Sequence, residues 1–389
     1  MGILKERMEI EQRRGYKHLK TKYVCYNCFN NSSIQEYIKK YAVNMKCDYC
    51  GKKYKKNAAT NINRVIWKIN QSISLYYKDP NDLLFYSDEE GWNSVLDTYE
   101  MFVADRAELE CQNKKILNDI IKAFAERQWY EEATYYESES KRLLRNWDYF
   151  EKIVKEKWRY TYFTIKDPEN EIYNIYKIIK KICRTMILSK CIITIKEGTQ
   201  LYRVRVHDEK DEVNCAKQIG TPKNEYVKKA NRLNPINIPM FYGAFTKETA
   251  IEESRKNDGK DKITLGVFTN NISIQVIDLS KKIEIPGLYS INNYLIEPII
   301  FINSFAEIIC KPINDERDEY LEYIPTQIIV EYIRHVFFKE GKIKGIIYNS
   351  SKTNGNNIAL FYLNDQCKDK NEVAANEDCL VLQGIERIQ

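Results

Sequence analysis

The spacing of apolar residues predicts a helical segment in the middle of the chain. Between about residues 67 and 190, Gly and Pro are sparse and apolar side chains recur every three or four positions. The clearest stripe consists of Leu143, Trp147, Phe150, Val154 and Trp158. A stripe of this width is typical of the face that a long helix buries in a core.

From about residue 191 the pattern changes to short runs of β-branched and aromatic residues, which predict strands. Segments rich in Gly, Asn, Ser and Thr separate these runs, which read CIITI, LYRVRV, ITLGVF, ISIQVIDL, KGIIY and IALFYL. One helix is predicted after Pro325-Thr326. Its apolar stripe consists of Ile329, Ile333 and Val336, with Tyr332 beside it. The segment is therefore predicted to be α+β, with a mostly β core.

Length and composition indicate a folded protein of several domains. The chain has 389 residues, of which 43% are hydrophobic, and this excludes general disorder. We predict a multidomain α+β protein with boundaries at 1–66, 67–190 and 191–389. By inspection of the sequence, no apolar run reaches the roughly 18 residues expected of a membrane-spanning helix, and the N-terminus lacks a signal-peptide core. We therefore expect a cytoplasmic protein with no membrane association.

The positive charge is concentrated at the N-terminus. Residues 1–66 hold 15 Lys and Arg against 5 Asp and Glu, a net charge of +10. The whole chain has a net charge of +6, so the remainder is −4. A basic terminus of this kind is either a solvated surface or a contact for nucleic acid or another acidic surface.

Four of the eleven cysteines form two C-x2-C pairs. Cys25 and Cys28 form the first pair, and Cys47 and Cys50 form the second, with 18 residues between the pairs. Two such knuckles supply the four thiolates of a closed tetrahedral zinc site, and Gly51 suits the tight turn after the second knuckle. We expect a structural zinc in a small zinc-ribbon region. The alternatives are four unliganded thiols or a redox pair.

Motifs for common cofactors are missing from the sequence. It contains no G-x-G-x-x-G, P-loop or H-E-x-x-H motif, and only three His. Strand alternation places Arg203 and Arg205 on one face of the L-Y-R-V-R run. On a solvated edge such a pair has no ligand, whereas in a cleft two guanidinium groups match a pyrophosphate.

Three ordered segments resemble the RES domain over about residues 197–365. The first is L-Y-R-V-R, the second is R-L-N-P-x-x-x-P-x-F-Y-G-A followed by T-A-I-E-E, and the third is G-I-I-Y-N-S-S followed by G-x-N-x-A-L-F. The chain also resembles the RES subgroup that carries a zinc ribbon and a HEPN-like helical region in front. The resemblance implies a C-terminal α+β domain with a fold like that of ADP-ribosyltransferases. It also implies cleavage of NAD⁺ between nicotinamide and ribose.

The resemblance transfers to particular positions of this chain. The family's Arg, second Arg, Tyr, Glu and Ser match Arg203, Arg232, Tyr242, Glu253 and Ser350, the last with Ser351 beside it. We therefore expect Arg203, Tyr242, Glu253 and Ser350 to be catalytic. NAD⁺ binding is expected from Arg203, Arg205, Arg232, Tyr242, Ser350 and Asn356. The family often has Gly where this chain has Asn237, and Asn tolerates the left-handed backbone of such a turn.

These residue types suit the implied reaction. Loss of nicotinamide leaves positive, oxocarbenium-like charge on the ribose, which Glu253 would stabilise. Nicotinamide leaves as a neutral group, so a chain poor in His can perform the step. Arg203 and Arg232 would hold the pyrophosphate, Tyr242 would stack on a base, and Ser350 would bond a ribose hydroxyl or the carboxamide.

The leading hypothesis is an NAD⁺ glycohydrolase or phosphorylase that acts as a bacterial toxin or anti-phage defence effector. One alternative is an ADP-ribosyltransferase that modifies a protein or a nucleic acid. A second alternative is a non-catalytic module whose basic zinc region and helices bind nucleic acid or a partner. We also expect an antitoxin or regulatory partner and a homo-oligomer.

Overall fold

The computed structural model describes residues 10–11, 13–82, 95–125, 127–161, 175–208, 211–255, 262–311, 319–338 and 341–388. The chain divides into two compact units. The N-terminal unit consists of Met1–Glu139 and Ile285–Glu297, and the C-terminal unit consists of Ser140–Glu284 and Pro298–Gln389. The three-part division predicted at residues 66 and 190 follows composition and remains a prediction.

Short strands and helices form the N-terminal unit. The first strand and the second pair in antiparallel fashion, with Val24 opposite Thr60. The elements are β1 (Tyr23–Cys25), α1 (Ser32–Lys40), β2 (Ala59–Asn61), α2 (Ile62–Ile73), β3 (Tyr77–Lys78), β4 (Leu96–Asp97), α3 (Thr98–Val103), α4 (Lys114–Phe124), β5 (Gln128–Glu131) and α5 (Glu132–Tyr135). A helical region was predicted here. The structure adds a small sheet of order β3-β5-β4, whose strands are too short to produce a strand pattern in the sequence.

A mixed nine-stranded sheet forms the centre of the C-terminal unit. Its elements are α6 (Glu139–Glu156), α7 (Ile175–Leu188), β6 (Ile192–Ile195), β7 (Gln200–His207), α8 (Ala216–Ile219), β8 (Phe241–Ala244), α9 (Lys247–Ser254), β9 (Lys262–Asn270), β10 (Ile274–Asp278), α10 (Ile296–Cys310), α11 (Glu319–Tyr332), β11 (Ile343–Asn349), β12 (Asn356–Leu360), β13 (Cys367–Asp369) and β14 (Leu380–Ile388). The strand order is β13-β14-β9-β7-β8-β12-β11-β10-β6. The pairs β10–β11 and β13–β14 are parallel, and the others are antiparallel. Each of the six predicted strand runs coincides with a strand of this sheet.

The sheet is buried on both faces. Successive residues of a strand point to opposite faces, and on each face they pack in a separate hydrophobic core. On β11, Ile346 joins the core that contains α6, α7, α10 and α11, and its neighbour Ile347 joins the core beneath the opposite face. The predicted stripe of α6 is confirmed, since Trp147 and Phe150 are fully buried in the first core. Trp158 packs against the same core from beyond the end of the helix.

The helix near Pro325 differs from its prediction at both ends. It begins at Glu319 and contains Pro325, whereas the sequence predicted a start after Pro325. A π-helical turn, Ile333–Phe337, then follows it. Because this wider turn changes the 3.6-residue period, Val336 is 60% exposed while Ile329 and Ile333 are buried. The prediction that Val336 belongs to the buried stripe is therefore wrong.

One apolar segment is longer than the sequence analysis allowed. Within the described residues, Asn293–Cys310 is helical, long enough and apolar enough to cross a membrane. From this segment Phe301 and Phe305 are fully buried in the first core of the C-terminal unit, together with Ile302. These three side chains thus form part of the core of the C-terminal unit.

Candidate active site

A cavity of about 680 Å³ lies over the centre of the nine-stranded sheet. Strands β7, β8, β11 and β12 and helix α9 contribute to its walls. Four of the predicted site residues line it, namely Arg203, Arg232, Tyr242 and Glu253. Its volume is within the range of about 300–1,000 Å³ that small-molecule sites occupy. The structure thus brings together residues that are up to 50 positions apart in the sequence.

The carboxylate of Glu253 is held by two donors at one oxygen. Ser350 Oγ donates to Glu253 Oε1 at 2.6 Å, and Asn357 Nδ2 donates to the same oxygen at 2.7 Å. Hydrogen bonds to a charged acceptor are among the stronger ones in proteins. Within the described residues, Glu253 Oε2 has no hydrogen-bond partner. One oxygen is thus fixed to the protein and the other is available to a ligand.

Ser350 is itself fixed by the loop that contains it. Its Oγ accepts hydrogen bonds from the backbone N–H groups of Lys352 at 3.1 Å and Thr353 at 3.0 Å. The hydroxyl therefore donates its one hydrogen to Glu253 and accepts two hydrogen bonds from the loop backbone. Its contacts are those of a residue that positions Glu253, whereas the sequence analysis expected a bond to the ligand.

The same loop is attached to both ends of α9. In the first turn of the helix, Thr249 Oγ1 lies 3.1 Å from Thr353 Oγ1. A Cβ on Gly355 would come within 2.0 Å of Thr249 Oγ1, so the loop backbone lies directly against the helix. At the helix end, Lys352 Nζ donates to the carbonyls of Glu252 and Glu253, each at 3.1 Å. A cation there complements the helix dipole. These contacts fix the loop against α9, and together they set the position of Glu253.

Arg203 lies at the base of the cavity, with much of its guanidinium bound to the backbone. Its Nε donates to the carbonyls of Ile219 and Gly220, each at 2.9 Å, and Nη1 donates to that of Tyr242 at 2.6 Å. Burial lowers the pKa of Arg203 to about 10, so the group keeps its charge at neutral pH. Within the described residues its Nη2 has no hydrogen-bond partner, which leaves that end of the fork for an anion.

Arg232 and Tyr242 form another part of the wall. Arg232 Nη1 donates to the Ile309 carbonyl at 2.6 Å, at the end of α10, and Nη2 donates to that of Lys311 at 2.9 Å. Tyr242 Oη donates to Asn234 Oδ1 at 2.5 Å. Burial raises the pKa of Tyr242 well above its usual value, so this phenol remains neutral.

Three of the sequence-predicted residues lie outside the lining of this cavity. Arg205 is exposed and donates to the Gln218 carbonyl. Ser350 lines a neighbouring cavity of about 930 Å³, while Ser351 lines both cavities. Asn356 is adjacent to Asn357, whose side chain binds Glu253. Because side chains alternate along β12, the Asn356 side chain points to the opposite face of the sheet.

Asn357 and Tyr348 are two polar residues of the cavity that were not predicted from the sequence. They are opposite each other in the β11–β12 pair, and both line the cavity. Burial, and then the nearby charge of Glu253, raise the pKa of Tyr348. The G-x-N-x-A motif could have identified Asn357, because the Asn of that motif is Asn357 and not Asn356.

The left-handed turn expected at Asn237 is confirmed, since its φ is +69°.

The four cysteines of the two C-x2-C pairs come together in the N-terminal unit. All four sulfurs lie within 4.8 Å of one another. The pairs Cys25–Cys28 and Cys25–Cys50 are separated by 3.6 Å, and Cys28–Cys47 by 3.7 Å. Four sulfurs about 2.3 Å from a central zinc would lie about 3.8 Å apart, so the donor set fits a tetrahedral ion.

Backbone and side-chain contacts support this cluster. The Gly51 N–H donates to the Cys47 carbonyl at 3.0 Å, and Gly51 has a φ of +72°, which glycine adopts without strain. Tyr54 Oη donates to Cys25 Sγ at 3.1 Å. Hydrogen bonds of this kind orient metal ligands. The cluster could therefore bind a structural metal ion.

The C-terminal unit is thus a mixed-sheet domain with a polar cavity built around one carboxylate. A family model of the RES domain matches residues 200–382, and one of the HEPN/RES N-terminal domain 1 matches residues 40–168. No curated protein and no solved structure matches the chain. The chain therefore carries a HEPN/RES N-terminal domain and, after it, a domain of the RES family, which confirms the resemblance seen in the sequence. This family is associated with enzymes that use NAD⁺.

Proposed function

We propose that the protein cleaves NAD⁺ between nicotinamide and ribose, with water or phosphate as the acceptor. The supporting observation is the Glu253 carboxylate, which two donors hold at Oε1 in a cavity that Arg203 and Tyr242 also line. The match to the RES domain, a family associated with NAD⁺ chemistry, supports NAD⁺ as the substrate.

The reaction needs the kind of site that this cavity provides. As the C–N bond breaks, positive charge develops on the ribose, and Glu253 Oε2 supplies the opposing negative charge. Nicotinamide departs as a neutral base, so no general acid has to protonate it. Loss of one preorganised electrostatic contact of this type costs about 2.7–4 kcal/mol, or roughly 100- to 1,000-fold in rate.

The cationic groups suit the other charged part of the substrate. The pyrophosphate of NAD⁺ is anionic, and Arg203 lines the cavity while its Nη2 has no hydrogen-bond partner among the described residues. Arg232 donates to the backbone at the end of α10, and among the described residues its Nε has no hydrogen-bond partner and could donate to the ligand. In this proposal Tyr242 forms an apolar face for a base, and Ser350 and Asn357 position Glu253.

Depletion of NAD⁺ by the purified protein tests this proposal. Wild-type protein should consume NAD⁺, and Glu253→Ala should lose about 100-fold or more of that activity. Glu252→Ala is the matched control, because Glu252 is the adjacent acid but pairs with Arg255 at 2.9 Å and does not line the cavity. Intact NAD⁺ in the presence of wild-type protein, water and phosphate would rule the proposal out.

Labelled NAD⁺ separates this function from its alternatives. Free ADP-ribose or its phosphate indicates degradation, while a labelled protein or nucleic acid indicates ADP-ribosyl transfer. Because degradation of NAD⁺ would harm the cell that makes the enzyme, we propose a toxin or defence role with a regulatory partner. The ADP-ribosyltransferase-like fold and homo-oligomer formation are parts of the same proposal.

For the N-terminal unit we propose a structural zinc in the four-cysteine cluster and a regulatory role. Lys52, Lys53, Lys55 and Lys56 follow the second knuckle and are exposed. Such a basic surface suits nucleic acid or an acidic partner. If the C-terminal unit were inert and only this surface bound a ligand, the non-catalytic alternative would be the correct one.

A further inference from the structure

A second, smaller cavity of about 280 Å³ adjoins the proposed active site. Three residues line both cavities, namely Arg203, Asn231 and Tyr242. Glu253 lines only the larger one. The two cavities, here called chambers, therefore adjoin at these three residues, which we call the shared wall, and the Glu253 carboxylate belongs to the larger chamber.

The shared wall is fixed by hydrogen bonds that need no ligand. Arg203 is held by three backbone carbonyls, and Tyr242 by Asn234 Oδ1. Gln327 Nε2 donates to the carbonyls of Asn231 at 2.8 Å and Asn234 at 3.2 Å. The geometry of the two chambers is thus set by the fold before a ligand arrives.

The outer side of the smaller chamber is basic and carries an exposed aromatic ring. Lys228 and Lys229 are both exposed, and within the described residues neither forms an ion pair. Tyr226 is 68% exposed, and no ring or cation contacts its face among the residues that the structure describes. The segment is anchored beneath them, because the Asn237 N–H donates to the Val227 carbonyl at 3.0 Å.

A dinucleotide in the active site must extend beyond the chamber that contains Glu253. If the nicotinamide ribose contacts Glu253, the pyrophosphate lies near Arg203 and the second nucleotide continues past the shared wall. We infer that the smaller chamber binds the AMP half of the substrate, with Lys228 and Lys229 facing its phosphate and Tyr226 stacking on its base. An ammonium is a suitable partner for phosphate, and an aromatic ring for a purine.

This inference rests on the proposed function for the identity of the ligand, but binding can test it without catalysis. AMP and nicotinamide mononucleotide are the probes, and calorimetry at low ionic strength gives the affinity for each. The variant K228E/K229E is compared with K223E. Lys223 is an exposed lysine on the same segment, and it lines neither chamber.

The affinity for AMP should fall about tenfold in K228E/K229E, because each exposed lysine–phosphate contact is worth up to about fivefold. Added salt should reduce the difference, since exposed charges are screened. Binding of nicotinamide mononucleotide should change less than twofold, and K223E should resemble the wild type for both probes. Tyr226→Ala should weaken AMP binding about fivefold or more without introducing a charge.

Three outcomes would overturn the inference. They are absence of AMP binding by the wild-type protein, equal AMP affinity in wild type and K228E/K229E, and equal losses for both probes. The proposed function fails separately, when wild-type protein leaves NAD⁺ intact. AMP binding without NAD⁺ cleavage would retain the chamber assignment and remove the proposed reaction.

Discussion

Replacement of Asn357 by Ala is a direct test of how the Glu253 carboxylate, which we propose to be catalytic, is held. The Asn357 side chain is only 6% exposed, and its Nδ2 donates to Glu253 Oε1 at 2.7 Å. A hydrogen bond to a charged group contributes about 1.5–3 kcal/mol. If that contribution is lost in the transition state, kcat should fall about 10- to 150-fold.

Steady-state kinetics of nicotinamide release from NAD⁺ measure this effect. We expect kcat to fall while KM changes less than about threefold, because Asn357 acts through Glu253 rather than on the bound substrate. Asn356→Ala is the discriminating variant. Asn356 is the adjacent Asn and lies outside the cavity lining, and its side chain has no hydrogen bond within the described part of the chain.

The positioning role of Asn357 is refuted if Asn356→Ala loses activity and Asn357→Ala does not, or if Asn357→Ala changes only KM. Ser350→Ala provides a second check, because Ser350 Oγ binds the same carboxylate oxygen at 2.6 Å. The double variant should lose less than the sum of the two single losses, since both donors constrain one group. Additive losses would mean that the two side chains act independently.

Three further predictions concern the four-cysteine cluster, the loop that contains Ser350 and Gly355, and the π-helical turn. The purified protein should contain about one zinc per chain by elemental analysis, and Cys47→Ser should lose it while Cys183→Ser, in a buried cysteine outside the cluster, should not. Gly355→Ala should lower the free energy of unfolding by about 1–3 kcal/mol in a denaturant titration and should reduce kcat, because its Cβ would come within 2.0 Å of Thr249 Oγ1. An unchanged free energy of unfolding and an unchanged kcat would contradict the close approach of Gly355 to Thr249. Val336→Asp should change stability by less than about 0.5 kcal/mol, whereas Ile333→Asp should lower the melting temperature strongly, since the two side chains are 60% and 1% exposed. Equal losses would argue against the π-helical turn.

The strands and the buried stripe of α6 could be predicted because each depends on a local period. Alternation over L-Y-R-V-R and the 3.6-residue spacing from Leu143 to Val154 are readable without tertiary structure. Val336 was assigned to the wrong face because a π-helical turn breaks the period without a signature in the residue types. The sheet of β3, β4 and β5 was missed because two of its strands have only two residues each.

The candidate site residues were chosen by motif, but their individual contacts depend on the fold. Arg203 was expected to grip an anion, and the structure adds three backbone carbonyls that already occupy part of its guanidinium. Asn356 was chosen over Asn357, although the alternation of β12 could have separated them. The bond between Ser350 and Glu253 joins residues 97 positions apart, a distance over which local sequence gives no information.

Quantification of nicotinamide release from NAD⁺, with and without phosphate, is the most direct test of the central claim. We expect wild-type protein to release one nicotinamide for each ADP-ribose or ADP-ribose phosphate formed. Glu253→Ala should abolish most of this release, while Glu252→Ala should retain it. Intact NAD⁺ with the wild-type protein, or equal release by Glu253→Ala and the wild type, would contradict the account.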